Sequence, residues 1–377
     1  MIILPHVTDA SDLSGKRVLL RLDLNVPIEG GEIRDPYRIE KSLQTLNYLR
    51  AQNARIVIIS HIGKGDPEDT LAPVARYLNT KFPTTFLSRL ESSENERLTK
   101  EMEDGDVVIV ENLRHSKGEE KNDSQFAAYL ATLGDVYVND AFSVSHRAHA
   151  SVVGVPALLP HYAGIQIREE VERIAVAFKP ARPFLFIVGG AKISTKMPLL
   201  KKFIGIADHI FVGGANVNNL LKSKGYEIGT SVYDKDVDGD LTELLESNRL
   251  ILPIDVVVKN DAGSEVRPVN QVNSGDMIVD IGPETIKYLE GVVGSAQLIV
   301  WNGPLGFYEQ GFTEATRELI SLVSGSRATS LVGGGDTVAL IDEMGAIDNF
   351  SFVSTGGGAM LDFLANETLP GIEALQK

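Results

Sequence analysis

Two groups of residues in this chain have the types and spacing to handle a small, highly charged anion. The first is basic. His61, Lys64, Arg114, His146, Arg147 and His149 each follow the end of a short apolar run in the first half of the chain, and Arg38 follows Asp35 and Pro36, an N-cap and N1 pair that places it in the first turn of a helix. A cation there opposes the helix dipole by about 0.3–1 kcal/mol, which an anionic ligand would offset. Arginine forks suit carboxylate and phosphate. One surface arginine would mean little, but this company points to a small, multiply anionic substrate.

The second group is glycine. Five apolar runs in the second half end in it: FLFIVGGAKIS (184–194), IFVGGANV (210–217), LIVWNGPLG (298–306), SLVGGGDT (330–337) and FVSTGGGAM (352–360). Glycine directly after a strand lets a ligand approach the main chain. Five such loops on one sheet edge are expected to form a wall of free N–H groups and helix N-termini, which suits phosphate. Lys192 and Lys196 flank the mouth of a helix expected from Ser194 or Thr195, because Pro198 fits only a first turn. Asp336 beside 333–335 is a hard oxygen ligand suited to Mg²⁺ held mainly by phosphate and water, or else a plain N-cap. The run 301–304 is also ordinary turn chemistry. At 356–358, bare helix-start N–H groups are a better reason for three glycines than close packing. Neither G-x-x-x-x-G-K-[ST] nor G-x-G-x-x-G occurs, which counts against a Walker-type loop and a dinucleotide dehydrogenase.

The elements that would hold these groups alternate. Short apolar runs at 18–24, 55–59, 107–110 and 136–138 are separated by helical spacings such as Ile39, Leu43 and Leu46. Strand–helix alternation argues for βαβ units in parallel sheets. The expected fold is therefore α/β with two doubly wound, Rossmann-like domains: 1–165, a helix at 166–180, and 181–365. Within the join, Ile167, Val171, Ile174 and Phe178 share one stripe of a helix expected over 166–178, either a hinge element or a packed core helix. The length of 377 residues also favours two domains.

Composition narrows the class. The chain has no cysteine, so disulfides and cysteine metal sites are excluded. Its net charge of −15 opposes general nucleic-acid binding and makes each local basic cluster more informative. The start, 1–7, lacks the basic and long apolar regions of a signal peptide, and no stretch approaches a membrane span. The expectation is a cytoplasmic monomer without nucleic-acid or membrane partners.

Taken in order and spacing, the segments RLDLNVP (21–27), DPYRI (35–39), SHIG (60–63), ENLR (111–114), VNDAFSVSHRAHAS (138–151), GGAKISTK (189–196), VGGANVNNLL (212–221), LPIDVVV (252–258), DIGPET (280–285), WNGPLGFYE (301–309), VGGGDT (332–337), STGGGAMLD (354–362) and LPGIEAL (369–375) resemble the phosphoglycerate kinase family along nearly the whole chain. The resemblance implies a phosphotransferase with a carboxyl group as acceptor. It would move the acyl phosphate of 1,3-bisphosphoglycerate to MgADP, giving 3-phosphoglycerate and ATP, across a cleft that closes. Carried over, Asp23, Asn25, Arg38, His61, Arg114 and Arg147 would hold phosphoglycerate. Lys192, with Arg38, Gly357 and Gly358, would face the phosphoryl group in transfer. Lys196, Gly213, Gly214, Asn302, Pro304, Glu309, Gly335, Asp336 and Thr337 would surround the nucleotide, with Asp336 on Mg²⁺. The tail 366–377 would return to the first domain. The chain departs from the family's usual pattern at Lys64, where an arginine is common, at 143–145, at His115 and over 163–172. Non-catalytic scaffolding and anion transport on the same fold are the competing classes; the presence of Arg38, Lys192 and the nucleotide-side glycines counts against both.

Overall fold

The computed structural model describes residues 3–235, 237 and 241–376; Met1 and Ile2 of the apolar start and Lys377 of the expected tail lie outside them. Chain contacts divide the protein into two units. One comprises the described residues through Glu172 together with those from Thr368 onward; the other is Arg173–Glu367.

The first unit is built on a six-stranded sheet. Its strands are β1 (Arg17–Leu22), β2 (Arg55–Ile59), β3 (Thr85–Leu87), β4 (Val107–Val110), β5 (Val136–Asp140) and β6 (His161–Ala163). They lie in the order β3-β4-β2-β1-β5-β6, all parallel. Leu20 of β1 pairs with Ile58 on one side and Val138 on the other, and all three are fully buried. Burial on both faces explains why these strands read as continuous apolar runs. Two bounds differ from expectation. The first strand stops at Leu22, because the N–H of Leu24 turns aside to Ser60 Oγ at 3.1 Å. The fifth continues to Asp140, since β1 keeps pairing with it through Leu22.

The second unit carries a parallel sheet of the same size: β7 (Phe184–Val188), β8 (His209–Val212), β9 (Leu250–Ile251), β13 (Leu298–Asn302), β14 (Thr329–Gly333) and β15 (Phe352–Val353), in the order β9-β8-β7-β13-β14-β15. All five glycine-ending runs are strands of this sheet. Phe184, Phe186 and Phe203 pack beneath it, with Phe186 stacked on Phe203 at 4.7 Å between centroids. Such a ring pair adds about 0.5–1.5 kcal/mol beyond its buried area. A further, antiparallel sheet, with β10 (Asp255–Asn260) paired on one side to β11 (Gly263–Pro268) and on the other to β12 (Met277–Ile281), was not anticipated from the sequence. Its β12 strand faces the site described below.

The join is an α-helix, Ile165–Ile174, whose last turn tightens into 3₁₀ geometry over Ala175–Phe178 before Pro180. The contact division falls inside it. At the other end of the second unit the chain re-enters the first. There Gly371 N donates to Ser145 O at 2.8 Å, and Leu369, Ile372 and Leu375 are buried. Among the described residues no helix is long and apolar enough to cross a membrane.

Candidate active site

In the first unit, the loops behind β1, β2, β4 and β5 bring the basic residues together. The helix carrying Arg38 starts at Tyr37, one residue later than expected, and Asp35 Oδ1 accepts from Tyr37 N at 2.8 Å. Arg38 Nη1 reaches Asp23 Oδ2 at 3.3 Å and Asn25 O at 3.1 Å. Asp23 is buried and also accepts from Ser143 Oγ at 2.5 Å, so the carboxylate fixes Arg38 from behind. Asn25 Oδ1 accepts from Gly63 N at 3.0 Å, tying the β1 loop to the β2 loop. Arg114 donates to Gly63 O, and its Nε lies 3.3 Å from Glu120. Arg147 is exposed, with Nε donating to His146 Nε2 at 3.3 Å.

The Lys64 loop is rigid by construction. Gly63 (φ 59°) and Gly65 (φ 94°) sit in the left-handed region, and Asp69 Oδ2 accepts from the N–H of Lys64, Gly65 and Asp66 at 2.8, 2.9 and 3.0 Å. Burial opposes ionisation of Asp69, but these three donors hold its carboxyl below the usual range. The Lys64 side chain remains exposed.

Electrostatics distinguish the two types of base. Burial, then Arg21, Arg114, Arg147 and His149, push His61 well below an ordinary histidine. His149 falls to about 4 through burial and Arg147. Both rings are neutral at pH 7, so the lasting positive charge comes from the arginines.

In the second unit, the glycine loops do something different from the wall expected of them. Four of the glycine N–H groups are already engaged: Gly189 to Asn302 O (2.8 Å), Gly190 to Pro304 O (3.0 Å), Gly213 to Val188 O (2.9 Å) and Gly214 to Leu305 O (2.9 Å). These glycines let neighbouring loops interlock. A Cβ on Gly189 would lie 2.1 Å from Pro304 O, and one on Gly214 2.6 Å from Gly190 N. Among the glycines of these loops, open space lies over two, each in the first turn of a helix. One helix is Gly335–Glu343, the other Gly357–Asn366. First-turn N–H groups have no intrahelical acceptor. Here packing separates the glycines. A Cβ on Gly357 would meet Gly334 Cα at 2.6 Å, so close packing asks for glycine there, whereas Gly335 and Gly358 have nothing within 4 Å.

Lys192 is exposed at the head of a 3₁₀ turn, Ile193–Thr195, and its carbonyl accepts from Thr195 Oγ1 at 2.7 Å. The α-helix begins only at Met197, with Lys196 as N-cap, so Lys196 rather than Ser194 marks its mouth. Burial lowers the Lys196 ammonium, with Asp362 opposing.

A cavity of about 260 Å³ adjoins these loops, lined by Gly214, Ala215, Pro304, Glu309 and Asp336 among others. Asp336 is not an N-cap, because Gly334 takes that place and Asp336 follows in the first turn. Burial, then the neighbouring Glu309, raises its carboxyl. A carboxyl unsettled in this way, with a second carboxylate beside it, fits a cation. Among the described residues no group of three or more His, Asp or Glu could hold a metal unaided, so an ion at Asp336 would need oxygen from its ligand. Asn302 Nδ2 donates to Gly357 O at 3.2 Å. Thr337 is fully buried, hydroxyl included.

Three residues of these surroundings were passed over in the sequence. Arg21 lies buried behind His61, and an arginine inside an apolar strand run was a legible signal. Asp280 and Asn218 line the cavity. Asp280 accepts from Ile281 N and Ala315 N at 2.9 and 3.2 Å, and burial pushes it up to about 7.

One unit is edged with arginine, and the other has helix N-termini with open glycines beside a cavity. The phosphoglycerate kinase family model matches residues 7–367. Phosphoglycerate kinase of Rubrobacter xylanophilus is 42% identical over 378 residues, covering 97% of this chain and 96% of that one. That of Caulobacter vibrioides is 39% identical over 389 residues, covering 98% of each. Among solved structures, phosphoglycerate kinase from Coxiella burnetii superposes with a TM-score of 0.85 at 36% identity, covering 99% of both chains. The one from Pyrococcus horikoshii OT3 gives 0.87 at 30%, covering 99% of this chain and 98% of that one. The chain belongs to the phosphoglycerate kinase family. Membership makes it a phosphotransferase of glycolysis, a kinase working with ADP and ATP.

Proposed function

We propose that the chain transfers the acyl phosphate of 1,3-bisphosphoglycerate directly to MgADP, reversibly, with Arg38, Asp23, Asn25, His61, Arg114 and Arg147 holding the phosphoglycerate. A terminal phosphate oxygen of ADP attacks phosphorus, the bond from phosphorus to the acyl oxygen breaks, and the carboxylate leaves with the electron pair. Attacking and leaving oxygens are both ionised near pH 7, so no proton moves and no general base is needed. The residues have only to align the groups and stabilise charge. Lys192 and the N-terminus at Gly357 and Gly358 would meet the phosphoryl group. Lys196, Gly213, Gly214, Asn302, Pro304, Glu309, Gly335 and Thr337 would surround the nucleotide. Mg²⁺, when bound at Asp336, supplies charge neutralisation between phosphate oxygens. The same reading includes a cytoplasmic monomer, which light scattering on the purified protein checks.

The observation that carries the nucleotide assignment is the empty space over Gly335 and Gly358. Packing does not ask for glycine there, whereas approach of an anion to a helix N-terminus does. Gly358→Ala is therefore expected to keep or gain stability, by up to about 1 kcal/mol from helix propensity, while losing turnover. Gly357→Ala should instead lose about 1–3 kcal/mol, since its Cβ would press on Gly334. Thermal melts alongside a coupled assay with 3-phosphoglycerate and MgATP check both. A fully active Gly358→Ala enzyme removes that terminus from the reaction, and absence of any turnover in the wild type removes the reading itself.

Direct transfer brings reacting atoms within about 3–3.5 Å, so the reading requires the two edges to meet, with the helix at the join as hinge. Closure would also keep water from the acyl phosphate. Lys64, exposed on its fixed loop, belongs to this step. Lys64→Arg should be active; Lys64→Ala should slow turnover more than it weakens either ligand alone. Small-angle scattering should show the radius of gyration falling only when both ligands are present. A constant value in an active enzyme rules closure out.

A further inference from the structure

Arg21 sits within β1, 1% exposed, with strands on both sides. Burying a guanidinium costs several kcal/mol unless it is paired and its donors are used, so its presence needs a reason. Its donors are spent in a definite pattern. Nε donates to Ser151 Oγ at 3.0 Å, Nη1 to Leu22 O and to Ser60 Oγ at 3.3 Å, and Nη2 to His61 Nδ1 at 3.2 Å. The countercharge is Glu119, fully buried, reached through Ser151. The Ser151 hydroxyl donates to Glu119 Oε1 at 2.5 Å and the Ser151 N–H to Oε2 at 2.9 Å. Tyr137 donates to Ser151 O at 2.6 Å and closes the network.

A guanidinium has five N–H donors and no acceptor. The ring nitrogen facing it must therefore accept, which leaves the ring proton on Nε2. We propose that Arg21 is the positioning residue of His61, holding the ring in the single tautomer that offers an Nε2–H donor to the anionic substrate. The inference rests on the reading of His61 as a phosphoglycerate contact. The opposite tautomer would turn a lone pair toward the anion. Glu119 answers the charge of Arg21 in the core, and the positive charge of the arginine opposes a second proton on the ring it orients. Arg114, Arg147 and His149 around the ring act in the same direction, against a second proton.

The test uses the full-length protein with ¹⁵N-labelled histidine, His61→Gln serving to assign the ring signals. The expected wild-type spectrum at pH 7 shows His61 protonated on Nε2 and bare on Nδ1, in a single tautomer. Arg21→Met should lose that signature and raise KM for 3-phosphoglycerate about tenfold, roughly the value of one hydrogen bond to a charged group, with KM for MgADP unchanged. Arg21→Gln, which keeps a donor, should restore the tautomer and most of the affinity. A wild-type ring protonated on Nδ1, or doubly protonated at pH 7, overturns the proposal even if no variant folds. So does a folded Arg21→Met protein with an unchanged ring spectrum. If the tautomer is as stated but His61→Gln leaves the KM for 3-phosphoglycerate unmoved, Arg21's hold on the ring stands and His61 leaves the substrate site.

Discussion

Lys192→Ala is expected to lower kcat by about 10²–10³ while leaving MgADP binding intact. The size is that of removing one preorganised donor aimed at charge that develops in transfer. The structure makes the substitution clean. Lys192 is exposed, its main-chain carbonyl alone accepts from Thr195 Oγ1, and the helix that follows starts at Met197. Surface changes of this type usually alter stability by less than about 0.5 kcal/mol, so lost rate would report chemistry and not unfolding. Single-turnover transfer with both ligands saturating separates the step from binding. A rate near wild type would take Lys192 out of the mechanism.

Arg38→Ala is expected to strike on the other side. It should lower kcat strongly and weaken 3-phosphoglycerate binding by about 10–10²-fold, the range of a lost charged hydrogen bond, with MgADP titrations unchanged. Arg38 is aimed by Asp23 and the Asn25 carbonyl, and both belong to the unit that carries none of the five glycine-ended strands. Arg38→Lys should recover little, because an ammonium keeps the charge and loses the fork. Calorimetry of each ligand separately decides the matter. Loss of nucleotide affinity with phosphoglycerate affinity preserved would reverse the assignment of the two edges.

Much of this was legible before any coordinates. Strands buried on both faces must be apolar throughout, so the runs around Val57, Ile109, Phe186 and Val300 announce themselves, and the residues behind them follow. What the sequence withheld is pairing. Leu24 is as apolar and as buried as the strand before it, yet its N–H leaves the ladder for Ser60. Glycines read alike in one dimension, but Gly189 is there for a neighbouring carbonyl, Gly357 for a neighbouring Cα and Gly358 for neither. Free N–H groups were expected at five loops, but those of Gly189, Gly190, Gly213 and Gly214 are taken by carbonyls, because hydrogen-bond partners far along the chain are invisible in it. The antiparallel β10–β12 sheet escaped for a related reason: β11 is largely exposed, and lacks the apolar run that marks the others. Arg21 is the opposite case, a visible anomaly inside an apolar strand.

The return of the chain from Thr368 onward has a consequence for biosynthesis. Leu369, Ile372 and Leu375 complete the core of the first unit, yet the ribosome delivers them only after the whole of Arg173–Glu367. At roughly 5–20 residues per second, the amino-terminal part must wait on the order of 10–40 s with the groove around Ser145 and Val152 uncovered, while the inserted unit has all of its own chain and can fold first. The order of maturation in the cell would then invert the order of translation: the unit Arg173–Glu367 finishes as an autonomous body, and the first unit is sealed last, by the short helix that follows Leu369.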